Sequence, residues 1–183
     1  VEYYIPHRVD EGYGLNDDAI RKLADGGTNL IITVDCGITA TASSDLAAQL
    51  GFEIIITAHH QMTDDLPEAA ANVHPGIEGY PNLDSAGEPC ALKLAWALAN
   101  EFKADGKSRA DLRQFLLNAT TLAAMGTIAD VVDLQGENRI ISSYGLKGLC
   151  NSQLVGIKAL IESAGLAGEN INSYHIGFRL APL

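Results

Sequence analysis

Hydrophobic positions fall along this chain in two registers: short β-branched runs near the start and helix-spaced positions in the second half. Two of the runs share one design. Leu30–Val34 leads into Asp35-Cys36-Gly37, and Glu53–Thr57 leads into Ala58-His59-His60. Runs of this length, bounded by glycine and polar residues, read as buried strands, and residues 38–50, closed by Gly51, are long enough for a crossover helix. The result is a βαβ unit. A right-handed connection lays its strands parallel in one sheet, so Asp35 and the histidine pair emerge at carboxyl ends, where open α/β sheets bind ligands.

Residues 1–5 (Val1-Glu2-Tyr3-Tyr4-Ile5) have strand character and run into Pro6-His7-Arg8-Val9-Asp10-Glu11-Gly12-Tyr13-Gly14. A loop of turn formers and charge at a strand end is a place for function. Asn16 reads as a helix N-cap, Asp17 and Asp18 suit the first turn, and Gly26-Gly27 ends the helix. Residues 61–87 are polar and punctuated by Pro67, Pro75 and Pro81, which predicts loop for most of them. Leu92, Ala95, Trp96 and Ala99 then share one face of a core helix over 90–102, with Trp96 assigned to the core. Ser108 caps a second core helix through Leu112, Phe115, Leu116 and Ala119. That helix approaches Met125-Gly126-Thr127-Ile128-Ala129-Asp130-Val131-Val132, a carboxylate inside an apolar run. Further helices are predicted over 140–149 and 155–164, and the stretch from Asn170 stays ambiguous. No internal repeat or linker is visible. The expectation is one α/β domain over 1–183, a Rossmann-like parallel sheet flanked by helices.

Composition narrows the function classes. A 47% hydrophobic share supplies a sizeable core. Twelve basic against twenty-three acidic residues give a net charge of −11, which disfavours a broad phosphate-binding face and an anionic membrane partner. Nucleic-acid contact would then be local or metal-assisted, and divalent cations would mask part of the charge. Cys36, Cys90 and Cys150 show no CxxC spacing, so neither a disulfide framework nor a zinc knuckle is suggested, and a reducing, cytoplasmic setting is expected. No apolar run approaches the roughly 20 residues that span a bilayer, and no signal pattern opens the chain. The chain starts without Met and stops on an apolar stretch, so a fragment truncated at both ends is expected.

Adjacent histidines can face one cleft only where a strand is finishing, since within a regular strand their side chains point to opposite faces. His59-His60 suits one metal ligand and one phosphate contact. Imidazole and carboxylate together suit manganese and related divalent ions, and a shared carboxylate suits a two-metal phosphoryl-transfer site. Asp35 and Asp130 are the carboxylate candidates. The plainer alternative makes the pair a polar loop start and Asp35 a helix N-cap. His74, in His74-Pro75-Gly76, reads as a turn residue. Cys36 reads as a small buried side chain and not a nucleophile, and His175 is too near the end of the chain to interpret.

Ordered motifs add a resemblance. Pro6-His7-Arg8, Glu11-Gly12-Tyr13-Gly14-Leu15, Val34-Asp35-Cys36-Gly37-Ile38, His59-His60, Gly126-Thr127-Ile128-Ala129-Asp130-Val131-Val132 and Gly136-Glu137-Asn138-Arg139 occur in that order. Together they resemble RecJ-type exonucleases of the DHH phosphoesterase superfamily, over essentially the whole chain. Ile176-Gly177-Phe178-Arg179-Leu180-Ala181-Pro182 resembles the passage into that family's second, DHHA1 domain. The resemblance implies that Asp35 bridges two Mn2+ or Mg2+ ions, His59 ligates one, Asp130 completes its shell, and His60 contacts the scissile phosphate. Arg8 and the loop from Glu11 to Gly14 would lie near the cleft, Arg8 as a phosphate contact or a structural salt bridge, and Arg139 would brace the Asp130 loop. It implies 5′-to-3′ degradation of single-stranded DNA in repair and recombination, with single-strand-binding or repair proteins as possible partners and no membrane.

Three departures accompany the resemblance. The family's Asp-x-Asp pair is absent, so this chain alone is expected to bind metal and catalyse poorly. Ala58 stands where the superfamily's naming motif is acidic, and losing such support for a neighbouring histidine costs roughly 10–100-fold in affinity or activity. Glu88-Pro89-Cys90 replaces a small, Gly-rich approach to the next helix. Two rival readings follow: a catalytically inactive scaffold or single-strand-binding protein, and a phosphodiesterase acting on oligonucleotides or cyclic dinucleotides.

Overall fold

β-branched Ile31, Thr33, Ile54 and Ile56 favour the extended backbone of Leu30–Val34 (β1) and Glu53–Thr57 (β2), which pair in parallel with Leu30 opposite Glu53 and Val34 opposite Thr57. The structure, a computed structural model, describes residues 1–77, 79–104 and 109–183, and the chain forms two units, Val1–Tyr80 and Pro81–Leu183. No helix among the described residues is long and apolar enough to cross a membrane.

In the first unit, α1 (Asp17–Asp25) starts where its cap predicts: the Asn16 side chain accepts the Ala19 N–H at 2.8 Å. The crossover helix α2 (Thr41–Gln49) is shorter than the residues available to it, because Gly37, in the left-handed region, first turns the chain off β1. Ile20, Ile31, Ile38, Ala47, Phe52, Ile54, Ile56 and Ala58 form the core between α1, α2 and one face of the sheet. Each isoleucine fully buried there contributes about 1.5–3 kcal/mol.

Two sequence expectations fail in this unit. Inside the predicted loop, Ala71–Val73 (β3) pairs in parallel with β2, Ile55 opposite Ala71 and Thr57 opposite Val73, giving the sheet order β1-β2-β3. Three residues are too few to show alternation, and the strand exists through its bonds to β2. Residues 1–5, conversely, form no strand: Val1, Tyr3 and Ile5 are exposed, and strand propensity without a neighbouring ladder leaves the backbone unpaired.

The second unit is helical: α3 (Gly87–Ala104), α4 (Arg109–Ala129), α5 (Gly136–Cys150), α6 (Val155–Ser163) and α7 (Ser173–His175), the last running into a π-helical stretch, Ile176–Leu180. His175, left uninterpreted by sequence, completes a capping box with Asn172. Pro89 is buried in the first turn of α3, where its missing N–H has no helical partner to lose, so the Glu88-Pro89-Cys90 departure leaves the helix intact. Gly145 and Gly148 of α5 lie directly against Ala124 and Thr121 of α4, an approach that any side chain would obstruct. Ile128, Leu149, Ile157, Leu166, Ile176 and Leu180 form this unit's core.

Trp96 and Phe115 correct the sequence reading, being 50% and 51% exposed. Both helices carry apolar residues on more than one face, so spacing alone does not identify the buried one; on α3 it holds Leu92 and Ala99. The Ser108 cap lies outside the described residues.

Candidate metal centre

β1 delivers Asp35. Its N–H donates to Thr57 O at 2.8 Å, one step past the last paired residues, and its φ of 60° then turns the chain sharply out of the strand. Left-handed backbone is costly for most L-residues and more accessible to aspartate; it recurs at functional sites. Thr33 and Thr57 fasten the turn: the Thr57 hydroxyl donates to Thr33 O and the Thr33 hydroxyl to Cys36 O, each at 2.8 Å. A Cβ added at Gly37 would meet Leu15 Cδ1 at 3.3 Å, so this position is packed as well as turned.

β2 delivers the histidines. His59 Nε2 is 3.2 Å and His60 Nε2 3.5 Å from Asp35 Oδ1, with the two rings tilted and their centroids 4.5 Å apart. One ligand atom from each of Asp35, His59 and His60 lies within 4.8 Å of the other two. Asp35 Oδ1 is buried and accepts no hydrogen bond among the described residues. A buried carboxylate oxygen in that condition is costly unless a cation faces it. A mixed oxygen and imidazole donor set fits Mn2+, and also Mg2+ through its carboxylate.

Tyr13 was missed by sequence reading as an individual residue. Its hydroxyl donates to the Asp35 carbonyl and also lies 2.8 Å from His60 Nε2. A phenol has one proton. With that proton on the carbonyl, the phenol oxygen accepts from His60, so His60 carries hydrogen on Nε2 and presents a donor, unlike a metal-ligating imidazole nitrogen. Gly12 and Gly14, at φ 82° and 87°, flank Tyr13, and this Gly-Tyr-Gly pattern was the available signal for a ring held out by two turns.

Arg8 is exposed, its guanidinium 5.9 Å from the Tyr13 ring centroid, an arrangement suited to a cation–π contact. Its loop is closed by Glu11, which accepts the His7 N–H at 2.5 Å and the Tyr4 hydroxyl. The His7 backbone bond and then the Tyr4 bond hold the Glu11 carboxyl below the usual carboxylate range. Burial pushes the Cys36 thiol up, with the Asp35 charge adding to the effect, so it stays protonated and is a poor nucleophile at neutral pH.

Ala58 is fully buried in the first unit's core, its N–H donating to Val73 O at 3.2 Å. Asp130 belongs to the second unit. It is exposed just past α4, with its N–H on Gly126 O at 2.8 Å, and Val131 follows at φ 60°. The brace assigned to Arg139 falls instead on its neighbour. Arg139 is exposed, whereas the buried Asn138 amide donates to Asp84 O at 2.7 Å and Asp133 O at 2.9 Å and accepts from Asn82 at 2.9 Å. The structure thus gathers Asp35, His59 and His60, reaches Arg8 through Tyr13, and carries Asp130 on the other unit.

A family model described as the DHH family, N-terminal domain, matches residues 1–127. The single-stranded-DNA-specific exonuclease RecJ of Bacillus subtilis (strain 168) is 43% identical over 184 residues, covering 100% of this chain and 22% of that protein. The protein of the same name from Escherichia coli (strain K12) is 34% identical over 190 residues, covering 100% of this chain and 32% of its own length. The chain therefore spans less than a third of these relatives. Among solved structures, an exonuclease RecJ bound to manganese matches with a TM-score of 0.82 at 34% identity, over 98% of this chain and 43% of that one. RecJ in complex with Mn2+ from Thermus thermophilus matches with a TM-score of 0.76 at 31% identity, over 91% of this chain and 24% of that one.

Proposed function

The chain belongs to the DHH family, and on that premise we propose that it forms the catalytic part of a RecJ-like, Mn2+- or Mg2+-dependent exonuclease that hydrolyses single-stranded DNA from the 5′ end. The observation that carries this reading is the convergence of Asp35, His59 and His60 at the carboxyl ends of two neighbouring parallel strands. Asp35 and His59 hold the ion, and by family resemblance Asp130 completes the shell. When bound, the ion supplies Lewis-acid charge to a phosphate and lowers the pKa of water. A phosphate oxygen at the site takes the Nε2 hydrogen of His60 in place of the Tyr13 oxygen, and Arg8 brings a cation to the same anion. The net charge of −11 confines attraction for DNA to this local site. The three free thiols suit a reducing cytoplasm.

Ala58 favours a second reading, an inert scaffold that binds the strand. A test uses the full-length protein on end-labelled single-stranded DNA with Mn2+, comparing the natural sequence with Ala58→Asp and Asp35→Asn. Asp35→Asn abolishes Mn2+-dependent degradation in the exonuclease reading, and Ala58→Asp raises it roughly 10–100-fold if the acidic side chain restores support to His59. Because Ala58 is fully buried, thermal melting accompanies each assay. Inert proteins that still bind the strand would hand the lead to the scaffold.

A further inference from the structure

We propose that His74 is a positioning residue that fixes His60 in the candidate site, an inference resting on the function proposed above. Residues 74–77 form a turn closed by the Ile77 N–H on His74 O at 3.2 Å, with Pro75 buried at its second position. Within it, the Gly76 N–H donates to His74 Nδ1 at 2.9 Å. An imidazole nitrogen that accepts carries no proton, so the neutral ring has its hydrogen on Nε2. That nitrogen lies 2.7 Å from the carbonyl oxygen of His60 and donates to it. Both ring nitrogens are engaged and the tautomer is set. A turn needs only the first of these bonds; the second reaches back 14 positions into the candidate site.

The second bond fills a gap in the sheet. The β2–β3 ladder ends at Thr57 opposite Val73, with one further bond from the Ala58 N–H to Val73 O at 3.2 Å. His60 lies beyond this last rung, and the His74 side chain supplies a tie that strand pairing no longer provides. Tyr13 meets the ring of the same residue at 2.8 Å. His60 is therefore held at its backbone from the β3 end and at its ring from the loop over residues 7–14. Gly76 leaves room for the arrangement: an added Cβ would lie 2.7 Å from Met62 Cε and 3.2 Å from His74 Cε1.

Three substitutions separate positioning from turn formation. His74→Asn retains an acceptor for Gly76 N–H but is too short to reach His60, His74→Gln retains a donor of suitable reach, and His74→Phe removes both bonds. In the full-length protein, nitrogen-15 imidazole spectra without metal should show His74 as the Nε2–H tautomer. His74→Asn and His74→Phe should displace the His60 ring signals, and His74→Gln should restore them. Mn2+-dependent degradation of single-stranded DNA should follow the same order, with Asn and Phe lowering the rate roughly 10–100-fold at unchanged Mn2+ affinity and melting temperatures staying together. If His74→Asn matches the natural protein in both measurements, His74 only makes a turn and the proposal falls. It falls equally if His74→Gln fails to restore the spectra, or if all variants lose stability together. If the natural protein binds no Mn2+ while the spectra behave as stated, the metal reading fails and the positioning role stands.

Discussion

Asp35 and Asp130 each follow the carboxyl end of a regular element, and each turn contains a non-glycine residue at φ 60°: Asp35 itself in one, Val131 in the other. The first is tied from several sides, by Thr57 at its N–H, by Tyr13 at its carbonyl and by two imidazoles near its side chain. The second is an exposed helix end whose Asp130 N–H continues the helical pattern to Gly126. Nearby, Asn138 steadies the backbone at Asp133. Strain in the first turn aims a carboxylate at two imidazoles of its own unit, one a candidate ligand and one a candidate phosphate donor. In the second it falls on a β-branched residue, for which left-handed backbone is a genuine outlier. Strain alone therefore does not identify a site; convergence of donor atoms does.

The largest test of that contrast removes each carboxylate. In the full-length protein, Asp35→Asn should lower Mn2+ affinity at least about 100-fold by calorimetry and Asp130→Asn about tenfold, since Asp35 is the carboxylate shared with the histidine pair whereas Asp130 only completes the shell. Equal losses would break the comparison and make the two turns equivalent partners. Relieving backbone strain should have a smaller effect. Val131→Gly should stabilise the protein by about 0.5–1 kcal/mol in denaturant unfolding, the relief of a left-handed L-residue exceeding the entropy cost of glycine. Unchanged or lower stability would show that the Val131 side chain contributes packing that outweighs its strain.

Acid should loosen the loop that brings Tyr13 to Asp35. Glu11 is depressed below its unfolded value, so the order it confers is present at neutral pH, above the unfolded pKa, and is lost as pH falls through the lower folded one. The His7 amide, bonded to Glu11, should then lose protection against hydrogen exchange. Glu11→Gln should show weaker protection at neutral pH and little further change in acid; a pH response identical to that of Glu11 would assign the loosening elsewhere. The smallest effect concerns thiols. Cys150, exposed in the second unit, should alkylate well before Cys36, whose thiol burial pushes up. Faster reaction at Cys36 would mean that the Asp35 turn opens readily.

The sequence by itself determined the βαβ unit, the ends of its strands, the Asn16 cap and the placement of Asp35 and His59-His60 at carboxyl ends. Those features rest on short-range physics: β-branched side chains favour extended backbone, glycine permits the turns, and a short polar side chain caps a helix. Only the tertiary structure decided that Ala71–Val73 is a strand, since three residues form one only against β2. It likewise exposed Trp96 and Phe115, because apolar spacing records that a face could be buried and not which face meets a neighbour. The bonds from Tyr13 and His74 to His60 cross 47 and 14 positions of sequence. They depend on where separate segments come to rest, and residue order carries no direct signal of that.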